Sequence, residues 1–120
     1  MPTYQPNVLV LNLVDLVPEL KGMQSPALKL QVTTYEPGKA GPPHDHRGRP
    51  EAVYVLQGAI TDHRGGVEAV YRQGETYTLV KGAAHWMENK GDVPARLLVA
   101  MVWDTDSDTD AGARDAERKS

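Results

Sequence analysis

The sequence predicts an all-β protein, either a barrel or a sandwich, built as one domain. Its apolar residues fall in many short runs at close spacing, and none of these runs makes a convincing amphipathic helix. Eleven glycines and nine prolines separate the runs, as frequent turns require. The 120 residues suffice for one modest hydrophobic core. Short strands joined by many turns are typical of antiparallel barrels and sandwiches.

Eight runs carry the alternating or continuous apolar pattern of strands. In chain order they cover residues 8–14, 28–35, 51–57, 59–61, 67–71, 76–80, 85–87 and 95–103. The first and last runs are apolar on both faces, so we expect each to be covered on both sides. Periodicity alone also allows a short helix for the last run. Residues 62–66 have the composition of a hairpin turn.

The composition changes sharply at Asp104, which predicts two regions. Residues 1–104 form the β-barrel domain. Residues 105–120 contain no large apolar side chain, and burial therefore cannot offset the entropy of ordering them. We expect this acidic C-terminal tail to be disordered.

Charge and composition exclude several classes of function. The net charge is −3, and no basic run exists to follow a phosphate backbone, so we expect neither a nucleic-acid partner nor a membrane partner. The chain has no cysteine, which excludes disulfides and thiolate metal sites. The N-terminal residues lack the positive region of a signal peptide, and no stretch is long enough to span a bilayer. These features predict a cytoplasmic protein.

Three histidines and one glutamate are the candidate metal ligands. His44 and His46 are two residues apart, a spacing that places both imidazoles on one face of a strand. Glu51 opens the next strand with the parity of Val53, which we assign to the inner face. His85 joins them only if its strand folds back across the barrel. The alternative from these residues alone is that His44 and His46 are solvated side chains in a polar loop.

The same residues occur in two segments that resemble the two motifs of the cupin superfamily. The first segment is Gly38, five residues, His44, one residue, His46, four residues, Glu51, six residues and Gly58. The second is Gly74, then Gly82, two residues, His85, three residues and Asn89. Every spacing matches, with one departure: Val80 stands where the family usually has a proline. The likeness extends over most of residues 28–103.

This resemblance implies a fold, a ligand set and an assembly. The fold is an antiparallel jelly-roll β-barrel of six or more strands. The ligands of one divalent transition metal ion are His44, His46, Glu51 and His85. A homodimer is the usual form, and the two doubly apolar strands independently favour it, because one face of each needs a partner surface. Nitrogen and oxygen donors suit Mn, Fe, Co, Ni, Cu or Zn.

The predicted site favours chemistry that depends on the metal. Four protein ligands leave about two open positions on an octahedral ion. We expect a dioxygenase-type oxidoreductase acting on a small oxygenated organic molecule, with Glu51 as the candidate base. One alternative is a metal-dependent lyase or isomerase that works through an enolate. Another is a non-catalytic module that binds a small molecule. The inward-facing positions offer no second strong acid or base.

The remaining candidates have structural or accessory roles. Arg47 and Arg49 lie between ligands near the barrel mouth, where they either attract an anionic substrate or are solvated loop charges. His63 falls at the predicted hairpin tip and is expected to be exposed. Met87 shares the parity of His85 and is expected to line the cavity. The parity of the last strand predicts an apolar cavity wall of Leu97, Val99, Met101 and Trp103.

Overall fold

The computed structural model describes residues 4–18, 26–46, 49–80, 82 and 84–104, which form eight β-strands and no helix. The strands are β1 (Asn7–Asp15), β2 (Pro26–Tyr35), β3 (Glu51–Gln57), β4 (Ala59–Arg64), β5 (Val67–Arg72), β6 (Thr76–Leu79), β7 (His85–Glu88) and β8 (Ala95–Asp104). The all-β prediction is confirmed, and the helical alternative for the last run is wrong. The predicted tail and Arg47 lie outside the described residues.

The strands form two antiparallel sheets that enclose one core, which is the jelly-roll barrel that the sequence predicts. The larger sheet has the order β1-β2-β8-β3-β6, and the smaller has the order β5-β4-β7. Buried residues of both sheets form a single cluster, to which the larger sheet contributes Val55 and Val99 and the smaller contributes Ile60 and Met87. Apolar burial between the two sheets therefore holds the barrel together.

Gly58 carries the chain from one sheet to the other, because it lies between β3 and β4. Its φ angle is 75°, in the left-handed region that residues with a Cβ avoid. A Cβ at this position would also lie 2.9 Å from the carbonyl oxygen of Pro94. Both the backbone conformation and the close approach require glycine here.

The strand β8 has the burial that its sequence predicts. Leu97, Val99, Met101 and Trp103 are all buried. Leu97, Val99 and Trp103 line the barrel cavity as predicted, whereas Met101 is buried but is not a cavity-lining residue. Gln31 and Thr33 of β2 lie opposite Val99 and Leu97 in the ladder, and directly opposed residues point to the same face. The polar side chains of β2 therefore point into the barrel. Leu28, on the other face of β2, is 40% exposed.

The strand β1 differs from its prediction. It lies at the edge of the larger sheet and pairs only with β2, and all nine of its residues are exposed. The expectation that this apolar run is covered on both sides is wrong for the single chain. A run of apolar residues indicates a preference for burial, but it does not predict which strand lies at the edge of a sheet.

Asn89 anchors the turn before β8. Its buried side chain donates to the carbonyl oxygens of Tyr35 (3.0 Å) and Val93 (2.8 Å). Its Oδ1 accepts from the amide of Gly91 at 2.8 Å. One amide side chain thus satisfies backbone groups of two chain segments.

Candidate metal centre

The structure brings three of the four predicted ligands together in the barrel. Ligand atoms of His44, His46 and His85 all lie within 4.8 Å of one another. The backbone explains how the distant histidine joins the pair, because His44 and His85 exchange two hydrogen bonds of 2.8 and 2.9 Å. This isolated bridge places the start of β7 beside the loop that carries the other two histidines.

Each imidazole has its Nδ1 directed away from the centre of the cluster. His44 Nδ1 lies 2.9 Å from the carbonyl oxygen of Pro42, and His46 Nδ1 lies 3.3 Å from that of Arg49. His85 Nδ1 donates to Oδ1 of Asp62 at 2.7 Å. The Nε2 atoms remain for the centre, where those of His44 and His46 are 3.0 Å apart. Contacts of this kind orient the histidine ligands of metal sites.

The donor set fits a divalent transition metal ion. Two nitrogens bound at right angles, each about 2.1 Å from an ion, are about 3.0 Å apart, which agrees with the separation of His44 Nε2 and His46 Nε2. His85 Nε2 is buried and has no hydrogen-bond partner among the described residues. A buried polar atom without a partner is costly, and an ion at the cluster would satisfy it.

Burial keeps His85 in the form that binds metals. The pKa of His85 is lowered to about 4, chiefly by desolvation and also by the neighbouring His44 and His46, against the opposing effect of Asp62. The imidazole is therefore neutral at pH 7, as a ligand must be.

Glu51 lies beside this cluster, on the other side of His46. Its Oε2 is 3.3 Å from Nδ1 of His46, and the three-histidine group does not include it. The carboxylate is nearly buried and sits on the inner face of β3. In this arrangement Glu51 contacts a ligand, and its own ligation of the metal stays a prediction.

Asp62 is the site residue that the sequence reasoning missed. It is buried on the face of β4 that holds Ile60, and its carboxylate binds His85. The expectation that no further acid faces inward is therefore wrong. The hairpin signal at residues 62–66 hid it, because that signal ends the predicted strand at Thr61, whereas β4 continues to Arg64. Side chains two residues apart in a strand share a face, so a predicted strand that continued past Thr61 would have placed Asp62 on the inner face with Ile60.

The cluster opens on a cavity of about 320 Å³ with two chemically different walls. Lys29, Gln31 and Thr33 of β2 form a polar wall. The other wall is mostly apolar and includes Val53, Leu79, Met87, Leu97 and Val99. Such a cavity suits a small molecule with an oxygen-bearing side and an apolar side. The prediction that Met87 lines the cavity is confirmed.

Arg49 and Tyr77 add polar groups to the cavity. Arg49 is buried, and its guanidinium carbon lies 5.1 Å from the ring centre of Trp103. The alternative of a solvated loop charge is therefore wrong for Arg49. Burial, reinforced by the charge of Glu51, raises the pKa of Tyr77 well above its usual value, so the phenol stays protonated and able to donate.

His63 occupies the outer face of the smaller sheet. Its ring stacks on Trp86 with centroids 3.6 Å apart, and its Nε2 lies 2.9 Å from Oε1 of Glu88. The expected exposed position at a hairpin tip is wrong, because the turn itself consists of Gly65 and Gly66. His63 lies outside the three-histidine group.

A jelly-roll barrel whose interior brings three histidines together is the arrangement found here, and it offers a group that could hold a metal ion. The family model of the cupin domain matches residues 31–101, more than half of the chain. The protein belongs to the cupin family.

Its relatives include plant proteins and solved barrels. It is 30% identical over 87 residues to germin-like protein subfamily 2 member 1 of Arabidopsis thaliana, a match that covers 68% of this chain and 40% of the relative. The chain spans about two fifths of the length of the curated relatives it matches.

Two solved structures place the barrel among known folds. The cupin domain of Schizosaccharomyces pombe Cnp3 superposes with a TM-score of 0.65 at 15% identity, covering 89% of this chain and 71% of that one. A structure of oxalate oxidase has a TM-score of 0.54 at 26% identity, covering 62% of this chain and 41% of that one. In the part of the chain that the structure describes, no helix has the length and apolar character needed to cross a membrane.

Proposed function

We propose that this protein is a metal-dependent oxidoreductase of the dioxygenase type that acts on a small oxygenated organic molecule. The observation that carries the proposal is the convergence of three histidines, two of which, His44 and His46, line a cavity of about 320 Å³. One divalent ion of Mn, Fe, Co, Ni, Cu or Zn is the proposed cofactor, held by His44, His46 and His85, with Glu51 as the proposed fourth ligand. When bound, the metal supplies Lewis acidity and, for a redox-active ion, electron transfer.

The residues of this chain bind and orient the substrate. Gln31 and Thr33 offer hydrogen bonds to its oxygen atoms from the polar wall, and the protonated phenol of Tyr77 offers a donor. The apolar wall excludes water from the reacting atoms. Glu51 lines the same cavity and is also the proposed base, a role that it would take on after its carboxylate leaves the metal.

The comparisons support a substrate of this size and chemistry. Oxalate oxidase, a structural relative at 26% identity, is named for an oxidation of a small carboxylic acid. We extend only the broad class of oxidoreductase and the general size of the substrate to this chain. The polar wall beside the histidines supports the same substrate class.

Metal analysis joined to oxygen uptake tests this proposal. Protein purified without chelator should contain about one transition metal ion per chain, and His44→Ala/His85→Ala should lose it. Candidate small hydroxy and carboxylic acids are then screened for turnover by chromatographic measurement of substrate loss, with oxygen uptake followed in parallel by an oxygen electrode. Turnover without oxygen uptake would replace the proposal with a lyase or isomerase, and binding without turnover would leave a small-molecule binding module.

We propose a homodimer as the working assembly. Six apolar side chains of β1 are between 38% and 58% exposed: Val8, Leu9, Val10, Leu11, Leu13 and Val14. They lie on both faces of the strand: Val8 and Val10 line the cavity, while Leu9 and Val14 leave apolar surface exposed on the outer face, where an interaction partner could cover it. The last 16 residues have no large apolar side chain with which to cover it. A second copy of the chain can cover it, because residues 8–14 carry no charge and two such strands can therefore meet about a two-fold axis without charge repulsion.

A further inference from the structure

The carboxylate of Asp62 is buried against the candidate metal centre, yet it is not one of the three clustered ligands. Its Oδ1 lies 2.7 Å from His85 Nδ1, and both side chains are buried. The two residues lie on neighbouring strands, β4 and β7, of the smaller sheet. Asp62 therefore contacts the ring of His85 on the side that faces away from the other two histidines.

The chemistry of this contact fixes which nitrogen of His85 carries the proton. An ionised carboxylate only accepts hydrogen bonds, so Nδ1 must donate. In a neutral imidazole the proton on Nδ1 leaves the lone pair on Nε2. That Nε2 is the buried atom without a partner among the described residues, and it belongs to the three-histidine cluster.

Arg64 holds the other side of the carboxylate. Its Nη2 donates to Oδ2 of Asp62 at 3.4 Å, while Oδ1 accepts from His85. This guanidinium contact is long, so it orients the carboxylate less strongly than the contact with His85 does. A series of side-chain contacts thus links the partly exposed guanidinium of Arg64, through Asp62, to the buried His85.

We infer that Asp62 is a positioning residue that holds His85 with its Nε2 lone pair directed at the metal site. The inference rests on the proposed metal site. Removing an outer partner of this kind typically weakens metal binding by about 10- to 100-fold. The acid is expected to act through His85 without contacting substrate.

The same two strands supply a matched control. Glu88 of β7 binds His63 of β4 at 2.9 Å, and this pair lies outside the cluster. Glu88→Gln therefore perturbs a carboxylate–histidine contact of the same sheet without touching the centre. Asp62→Asn keeps the size of the side chain but can present either an oxygen or an NH₂ group, so it no longer dictates the tautomer. Asp62→Ala removes the contact.

The first measurement is the tautomer of His85 in metal-free protein, read from long-range ¹H–¹⁵N NMR correlations. The second is the affinity for Co²⁺ and Zn²⁺, measured in competition with a chromophoric chelator. We expect Nδ1–H in the wild type and in Glu88→Gln, and mixed tautomers in Asp62→Asn and Asp62→Ala. Both Asp62 variants should bind the two ions about 10- to 100-fold more weakly, with Glu88→Gln within about threefold of the wild type.

The outcomes separate this inference from the proposed function. If the wild type binds neither ion, the proposed function fails. The NMR measurement of the His85 tautomer in metal-free protein still tests whether Asp62 positions this ring. If the wild type binds and both folded Asp62 variants keep its affinity and its tautomer, the positioning role is overturned. An equal loss in Glu88→Gln would also overturn it, because the effect would then come from the stability of the sheet. Thermal unfolding of each metal-free variant identifies that case.

Discussion

His85 combines two properties that have opposite effects on its charge. Desolvation lowers its pKa to about 4, and the hydrogen bond to Asp62 acts in the other direction without overcoming it. The imidazole therefore stays neutral and keeps a lone pair for a ligand. The consequence is that the folded chain resists protonation of His85, whereas the unfolded chain does not.

This difference makes the stability of the metal-free protein depend on pH. The pKa of His85 is about 4 in the folded chain against an ordinary value of 6.5, so the unfolded state binds the proton first. Stability should fall as the pH drops from about 6.5 to about 4, by roughly 3 kcal/mol from this group. Denaturant unfolding of the wild type and His85→Gln at several pH values measures it. The variant should lose less stability over this pH range. Equal losses in the two proteins would contradict the assignment of the pH dependence to His85.

At the level of single residues, spacing predicts the histidines but not their partners. His44, His46 and His85 can be identified because their spacing resembles that of the two cupin motifs. Asp62 cannot, because its inward direction depends on where β4 ends. The predicted position of His63 is wrong for the same reason. Moving the predicted end of a strand by a few residues changes which side chains are assigned to the turn and which to the barrel wall.

Among the elements, the passage from β3 to β4 depends on one glycine. Gly58→Ala meets both a φ of 75° and a contact of 2.9 Å with Pro94 O, so we expect it to lower the free energy of unfolding by about 2–3 kcal/mol. Gly38 has a φ of 76°, but a Cβ there would have no atom within 4 Å, so Gly38→Ala should cost only roughly 1 kcal/mol. Denaturant titration compares the two. Equal costs would show that the contact with Pro94 relaxes freely.

The exposed strand β1 gives the test of the homodimer. Leu9 and Val14 oppose Val32 and Leu28, so they share the outer face of the sheet, away from the cavity. Leu9→Glu/Val14→Glu should therefore convert the dimer to a folded monomer, measured by light scattering after size exclusion. Val67→Glu/Val70→Glu, which charges exposed positions of β5, is the control and should leave the mass unchanged. A monomeric wild type would refute the dimer.

The alternation of apolar and polar residues predicts most of the strands. Which strands pair with one another is known only from the structure. The inner parity of Val53, Leu97 and Val99 follows from pattern alone. The sheet order does not, and it places the apolar β1 at an edge. Nor does the sequence reveal that Gln31 of β2 faces inward, since a polar position facing a cavity has the same pattern as one facing solvent.

For the whole molecule, the three ligands connect segments that are distant in sequence. His44 and His46 lie in the loop before β3, and His85 opens β7 in the other sheet. A ligand that binds only the folded state stabilises it by about 2.7 kcal/mol at 100 times its Kd. We expect Zn²⁺ or Co²⁺ to raise the melting temperature by several degrees, chelator to reverse the shift, and His44→Ala/His85→Ala to show none. An unchanged wild-type melting curve at saturating metal would argue against the centre.

The strand β1 contributes to two surfaces at once. Val8 and Val10 line the cavity, while Leu9 and Val14 occupy the opposite face of the same strand. A partner that docks on the outer face would limit the excursions of a strand that otherwise has only β2 beside it. The turnover rate per chain should then rise with protein concentration and become constant once the chains are fully associated. Dilution should lower this rate before any unfolding is detected.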